Sequence, residues 1–295
     1  MTVVHGEGLP TAEGMPVSGM VKCNITFQMS GESENVPNRD RERIYRTEAV
    51  VLSRMELGEA DRILTIFTPQ RGKLRVIAKG VRRPTSKLGP HLEYFTRSQL
   101  MMAKGRDLDV VTGAETLDAF LPIRSNLDAL GHASHLAELL NRLTEERQEN
   151  GRAYDLLVRS LKLLADGLDP FAVARHYEMV LLGIAGFRPE LYRCVQCSSE
   201  IQATANVLSV RLGGMLCTAC RSADPAARPS SINAQKYVRT LDRTGLSGAV
   251  ALRVDESLAA EIEGILAAYI RHVTERDLSS LRVWHALRDA VPAAS

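Results

Sequence analysis

The chain has 295 residues, 45% of them hydrophobic, 24% charged and 5% aromatic, with 37 Lys and Arg against 35 Asp and Glu. This apolar content excludes a wholly disordered chain. The formal charge of +2 means that any attraction to nucleic acid must come from where the cations sit, not from their total. No apolar run approaches the roughly 18 residues of a membrane span. A basic start followed by an apolar stretch is also missing, as a secretory signal would need, so the expected compartment is the cytoplasm. The length suits two domains, or one plus an appended module, at roughly 100–200 residues each.

Residues 1–43 are rich in Gly, Pro, Ser, Glu and Asn without hydrophobic periodicity, and are expected to form a tail holding the lone Cys23. From Ile44 the pattern changes to short β-rich runs: Tyr45–Arg54, Ile63–Thr68, Leu74–Lys79, Tyr94–Met102 and Val110–Leu117. Glu56-Leu57-Gly58-Glu59 and Pro69-Gln70-Arg71-Gly72 turn the chain between them. Five short strands with such turns predict a small closed barrel or sandwich over residues 44–122, and a five-stranded Greek-key barrel of OB type matches the size.

After Pro122 the pattern becomes helical, over residues 123–288. Ser125 with Asp128 resembles a capping box opening a helix over 127–149, in which Leu127, Leu130, His135, Leu139 and Leu143 approximate a 3.6-residue period. Further helices are expected at 153–165, from Asp169-Pro170 to Gly186, at 232–241, at 257–275 and at 281–288, leaving 289–295 as a tail. The predicted class is α+β: an N-terminal five-stranded OB-fold barrel, then an all-helical domain carrying a four-cysteine module at 194–220.

Cys194 and Cys197, then Cys217 and Cys220, read C-x2-C twice, which is a zinc spacing. Two thiolates three positions apart on a tight turn can face one ion, and a second such turn completes a tetrahedron. Gly213-Gly214 would permit the second bend. Paired disulfides, disfavoured in a cytosolic chain, inert thiols and a redox pair are the alternatives. With four thiolates no coordination position stays open, so one structural zinc is expected.

Arg71, Lys73, Arg75, Lys79, Arg82, Arg83 and Lys87 follow one another with no acidic residue between them. On a strand the odd positions Lys73, Arg75, Ile77 and Lys79 share one face while Leu74, Val76 and Ala78 turn inward. The basic stripe continues into the loop Gly80-Val81-Arg82-Arg83-Pro84, with Arg97, Lys104 and Arg106 adding charge. Such a stripe can track a phosphate backbone and release counterions; a solvated strand face is the bland alternative. Tyr45, Phe67, Tyr94 and Phe95 could stack on bases but are assigned mostly to the core.

No phosphate-binding loop of G-x-x-x-x-G-K-[ST] type and no nucleophile elbow is present. His132 with His135 is read as packing or surface, and Glu59, Asp61, Asp107 and Asp109 as turn or rim charges. No covalent catalysis is expected. An RNA-binding zinc-ribbon protein and a metal-dependent nuclease remain as alternatives to a DNA-binding role.

Tyr45-Arg46-Thr47-Glu48-Ala49-Val50-Val51-Leu52, Gly58-Glu59-Ala60-Asp61-Arg62-Ile63-Leu64 and Gly72-Lys73-Leu74-Arg75-Val76-Ile77-Ala78-Lys79-Gly80 together resemble the bacterial recombination mediator family RecO. So does Leu181-Leu182-Gly183-Ile184-Ala185-Gly186-Phe187-Arg188-Pro189 leading into Cys194-Val195-Gln196-Cys197, and the likeness runs over about residues 44–288. It implies an OB-fold, a helical domain and a zinc module, and a non-enzymatic role in DNA repair by the RecFOR pathway. The family binds single- and double-stranded DNA, anneals complementary strands and, with RecR, helps RecA replace the single-stranded-DNA-binding protein. The resemblance also implies association with the nucleoid during repair. On the matching strand and loop it makes Lys73, Arg75, Lys79, Arg82 and Arg83 DNA contacts. It further implies a helical-domain groove for the tail of the single-stranded-DNA-binding protein, with Arg142, Arg175 and Arg188 as rim candidates. The 43-residue leader departs from the family pattern, through either the start site or an added tail.

Overall fold

Alternation of apolar and polar residues makes the five N-terminal runs strands with one inward face. In the computed structural model, which describes residues 43–290, they are β1 (Ile44–Leu57), β2 (Asp61–Thr68), β3 (Gly72–Ala78), β4 (Arg97–Ala103) and β5 (Asp109–Asp118). They close into a barrel in the order β1-β2-β3-β5-β4, antiparallel except for a short parallel β3–β5 contact at Val76–Asp109 and Ile77–Val110. Its interior holds Tyr45, Ala49, Val51, Leu64, Ile66, Leu74, Val76, Leu100, Met102 and Val111. The expected tails at 1–43 and 289–295 fall outside the described residues, apart from Arg43 and residues 289–290.

Seven helices follow among the described residues: α1 (Leu121–Ser125), α2 (Leu127–Leu143), α3 (Gly151–Ala165), α4 (Pro170–Ile184), α5 (Ile232–Ala249), α6 (Glu256–Thr274) and α7 (Ser279–Ala290). Between α4 and α5 lies a three-stranded sheet that the sequence does not announce: β6 (Asn206–Ser209), β7 (Gly214–Leu216) and β8 (Arg228–Ser230), ordered β7-β6-β8. These strands have only three or four residues, too few for a period to register.

Two sequence expectations are corrected at α2. Asn126, not Ser125, caps the helix, its side-chain oxygen accepting from the Ala129 N–H at 3.0 Å, while Ser125 Oγ donates to the Pro122 carbonyl. The helix also stops at Leu143 instead of reaching Glu149, because residues after Thr144 turn to run beside β3. The fourth strand likewise starts at Arg97, since Phe95 takes a left-handed conformation (φ 62°) that ends any extended run.

The barrel is joined to the helices through its outer face. Val50, Leu52, Phe67, Phe95 and Phe120 point away from the barrel interior and belong to the same buried cluster as Leu136, Leu139, Leu140, Tyr154 and Leu157. Glu48 Oε2 accepts from Arg97 at 2.8 Å and from the Tyr154 hydroxyl at 3.3 Å, tying β1 and β4 to α3. Helix α7 is seated on α2 where Gly131 leaves room for Trp284: a Cβ at Gly131 would lie 2.1 Å from the indole. Glu138 of α2 also caps α7, its carboxylate accepting from the backbone N–H groups of Ser279 (3.1 Å) and Ser280 (2.8 Å).

Replacing Gly131→Ala should destabilise the protein by about 1–3 kcal/mol, the usual range for forcing atoms into a packed contact; urea unfolding measures it. Partial burial acts to raise the Glu138 carboxyl pKa, but the Ser280 and Ser279 hydrogen bonds outweigh it and hold the pKa below the ordinary carboxylate value. Its stabilisation is therefore complete above the unfolded-state pKa and is lost as pH falls through the lowered folded one. Glu138→Ala should cost about 1 kcal/mol near neutrality, a difference that shrinks in melts at acid pH.

Candidate nucleic-acid interface and metal centre

Strand registers arrange the outer face of β1–β3 in rows. The first, Val50, Phe67 and Lys73, is in register across the three strands and lies against the helices. The next is Ser53, Thr65 and Arg75, and the one beyond is Met55, Ile63 and Ile77. An irregularity between Val51 and Ser53 supplies the extra residue Leu52, which lets β1 bury Val51 inside the barrel and Leu52 against the helices.

The seven cations of the basic run divide by their place on this surface. Lys73 is half-buried, and its Nζ donates to the carbonyls of Asn141 and Thr144, each at 2.6 Å, at the C-terminal end of α2. Desolvation lowers its pKa, an effect opposed by the nearby Glu146 and Glu145. Lys73 thus satisfies carbonyls that a helix end leaves without partners and meets the negative end of the helix dipole. Arg71 is half-buried with its guanidinium 4.2 Å over the Tyr45 ring. Arg82 is exposed but engaged: Nη1 donates to the Gly58 carbonyl and Nη2 lies 3.3 Å from Glu56 Oε2.

Arg75, Lys79, Arg83 and Lys87 are exposed, and among the described residues none has an acidic partner. The loop that carries two of them is fixed in shape. Gly80 adopts φ +63° with its N–H donating to Asp61 Oδ1 at 2.7 Å, and the Arg82 N–H donates to the Ala60 carbonyl. Asp61 therefore holds a turn, as its sequence context suggests. Arg97, in contrast, is spent on Glu48 and Asp118 (2.8 and 2.9 Å) and adds no open charge.

Of the aromatic candidates, Tyr45, Phe67 and Phe95 are buried, and the exposed Tyr94 lies under the Arg54 guanidinium at 4.1 Å. Residues 145–149 (Glu-Glu-Arg-Gln-Glu) were invisible as neighbours of this face. Glu146 bridges alongside Lys73, and the Arg147 N–H donates to the Lys73 carbonyl at 2.9 Å. Only long-range pairing creates that contact, so no local signal could have shown it.

The four cysteines form a single cluster in which every sulfur lies within 4.8 Å of the others. The first knuckle is closed by the Ser198 N–H donating to the Cys194 carbonyl and the Cys194 N–H to the Ser199 carbonyl, with Ser198 at φ 60°. The second follows Gly213 (φ 79°) and Gly214, where a Cβ would meet the Glu190 carbonyl at 2.6 Å. Four thiolates about 2.3 Å from a tetrahedral ion stand about 3.8 Å apart, and Cys197 and Cys217 Sγ are separated by 3.8 Å. The quartet can therefore hold a metal ion. Cys194, Ile201, Val207, Leu208, Met215 and Leu216 all belong to the helical core, so the module is built into that core.

Elsewhere in the helices, His135 Nε2 meets Glu178 Oε1 at 2.5 Å and Arg175 Nη2 meets the same oxygen at 2.8 Å, all three side chains being buried. Arg175 Nε and Nη1 have no hydrogen-bond partner among the described residues, and the guanidinium lies 5.4 Å over the Phe171 ring. A cleft of about 450 Å³ opens beside them, lined by His135, Glu263, Leu278, Leu281 and Arg282. Arg142 and Arg188 are exposed and far less constrained, near Glu138 and Asp242 respectively. His132 is buried against Trp284, a packing role. No helix among the described residues is long and apolar enough to cross a membrane.

Family models described as recombination protein O N terminal and recombination protein O C terminal match residues 43–120 and 124–282. A DNA repair protein RecO of Roseiflexus sp. (strain RS-1) is 42% identical over 258 residues, covering 86% of this chain and 91% of the relative. Proteins of the same name from Desulforudis audaxviator (38%, covering 80% and 94%) and Dehalococcoides mccartyi (34%, covering 83% and 96%) are also similar.

Lys73→Ala should lower thermal stability by about 1–2 kcal/mol, the scale of a charged hydrogen bond at a partly solvated site. It should weaken nucleic-acid binding less than Arg75→Ala does; parallel melts and fluorescence-anisotropy titrations separate the two effects.

Proposed function

The chain belongs to the RecO family, and from that membership we propose that it is a non-catalytic DNA-binding protein of recombinational repair. Its task is to anneal complementary single strands and to help RecA load onto DNA coated by the single-stranded-DNA-binding protein, in company with RecR. The observation that supports this best is the set of exposed cations without acidic partners among the described residues, Arg75, Lys79, Arg83 and Lys87, on one strand and its following segment. Cations so placed neutralise phosphates and release counterions, which lowers the repulsion between two approaching strands and makes zippering more frequent. Arg82 contributes at the rim, its charge shared with Glu56. Arg71 and Lys73 act behind this face, holding Tyr45 and the end of α2.

For the acidic, apolar tail of the single-stranded-DNA-binding protein, the seat is the cleft lined by Ala267, Leu278, Leu281, Arg271 and Arg282. Its apolar residues would take the tail's hydrophobic end and Arg282 its carboxylate, while Glu263 and Asp277 of the same lining limit the negative charge it admits. For the cysteine quartet the proposed ion is zinc, since an all-thiolate tetrahedral set within a reducing compartment suits it. Such an ion would hold the two knuckles together against the helical core and do no chemistry on DNA.

Annealing of complementary oligonucleotides without ATP should proceed, both on bare strands and on strands coated with the single-stranded-DNA-binding protein. The triple change Arg75→Glu, Lys79→Glu, Arg83→Glu should slow it by more than about tenfold and flatten its salt dependence. Unchanged annealing would refute this assignment, and degradation of labelled DNA with added Mg²⁺ would favour a nuclease instead. Metal analysis should return about one zinc per chain, falling to a small fraction in Cys197→Ser.

A further inference from the structure

Strand β1 outruns one of its two neighbours. It pairs with β4 from Ile44 to Val50 and with β2 from Val50 to Leu57. On the β4 side the pairing closes with the Val51 N–H donating to the Thr96 carbonyl and the Phe95 N–H donating to the Val51 carbonyl. Phe95, at φ 62°, then turns the chain away. Among the described residues no strand lies on that side of Ser53–Leu57, so this stretch of about 17 Å is an open sheet edge. It presents Met55 at 53% and Leu57 at 40% exposure.

At the fork where the two strands part lies a cavity of about 560 Å³. Leu52, Tyr94 and Phe95 form its barrel wall, Leu130 and Ala137 of α2 form the opposite wall, and Arg142 joins them in the lining. Glu138 is the one carboxylate of that lining among the described residues, and it is committed to the N-terminus of α7. The charge left to attract an occupant is therefore positive. A strand edge offers N–H donors and carbonyl acceptors in alternation. A peptide backbone complements both, whereas phosphates only accept and would face the exposed carbonyls of β1. We propose that the Ser53–Leu57 edge and this cavity together dock an extended segment of a partner protein, antiparallel to β1 along the line that β4 vacates. An apolar side chain of the segment enters between Leu52, Phe95 and Leu130, and an acidic one meets Arg142. Main-chain hydrogen bonds supply the affinity of such strand addition, and the cavity supplies its selectivity. The site shares no residue with the cleft assigned to the tail of the single-stranded-DNA-binding protein, and it does not depend on the cations of β3.

Random decapeptides displayed on phage and selected on the full chain should enrich apolar residues at alternate positions with an acidic residue beside them. A synthetic copy of an enriched peptide should slow hydrogen exchange of the Ser53–Leu57 amides that face away from β2. Methylating alternate backbone nitrogens of that peptide should weaken binding more than about tenfold, because it removes edge hydrogen bonds and keeps every side chain. The change lies in the peptide, so no folding defect can mimic it. Ser134→Trp, which fills the cavity from a half-buried position on α2, should weaken binding by a similar factor, and Arg282→Glu in the tail cleft should leave it unchanged. The proposal is overturned if no peptide is enriched, or if binding ignores either the methylation or the tryptophan. Slowed exchange of the same amides by oligo(dT) in place of a peptide would assign the edge to nucleic acid and overturn it as well.

Discussion

The structure depends on how much of the barrel's outer face is taken from solvent. A five-stranded barrel normally buries one side of each strand, but here the row of Val50, Phe67 and Lys73 is covered as well. Phe67 supplies the apolar contact, and Lys73 supplies the polar one by filling the open carbonyls at the end of α2. The pairing is economical because a lysine stem can lie on apolar surface while its ammonium reaches the helix terminus. One row further out the same face is left open, and there Arg75 stands exposed.

Much of this was legible in residue order. Alternation in LRVIAK fixes which side chains of β3 point inward, and the C-x2-C pairs mark a quartet whose sulfurs do converge and can hold a metal ion. Helix positions also followed from Pro170 and from the Asp166-Gly167 stop. What could not be read was which cation of a basic run is free. Lys73 and Arg75 look alike in sequence and share a face, yet one is held by α2 and the other is exposed, because α2 lies some seventy residues away in the chain. The short strands of the cysteine module and the Gly131–Trp284 seat were hidden for the same reason: each is defined by a partner, not by a period.

The cysteine module and the barrel lean on one shared core. Leu208 and Met215 from the module, Leu139 from α2 and Phe67 from the barrel all belong to a single buried cluster. Apolar burial is non-directional, so disturbance at the knuckles can be felt by helices that also support β1 and β2. An ion held by the cysteines would in this way bear on the proposed DNA-binding face.

The stretch from Thr144 to Asn150 carries a constraint of its own. It links α2 to α3, yet its backbone also docks on β3: Gln148 O occupies the space a Cβ at Gly72 would need, only 1.8 Å away, and Arg147 donates to the Lys73 carbonyl. A connector that is also part of a sheet edge has no slack. Adding or removing even one residue there would shift every later contact along β3 or pull α3 out of place. Length polymorphism among family members should accordingly gather in freely exposed turns and leave this connector invariant in span.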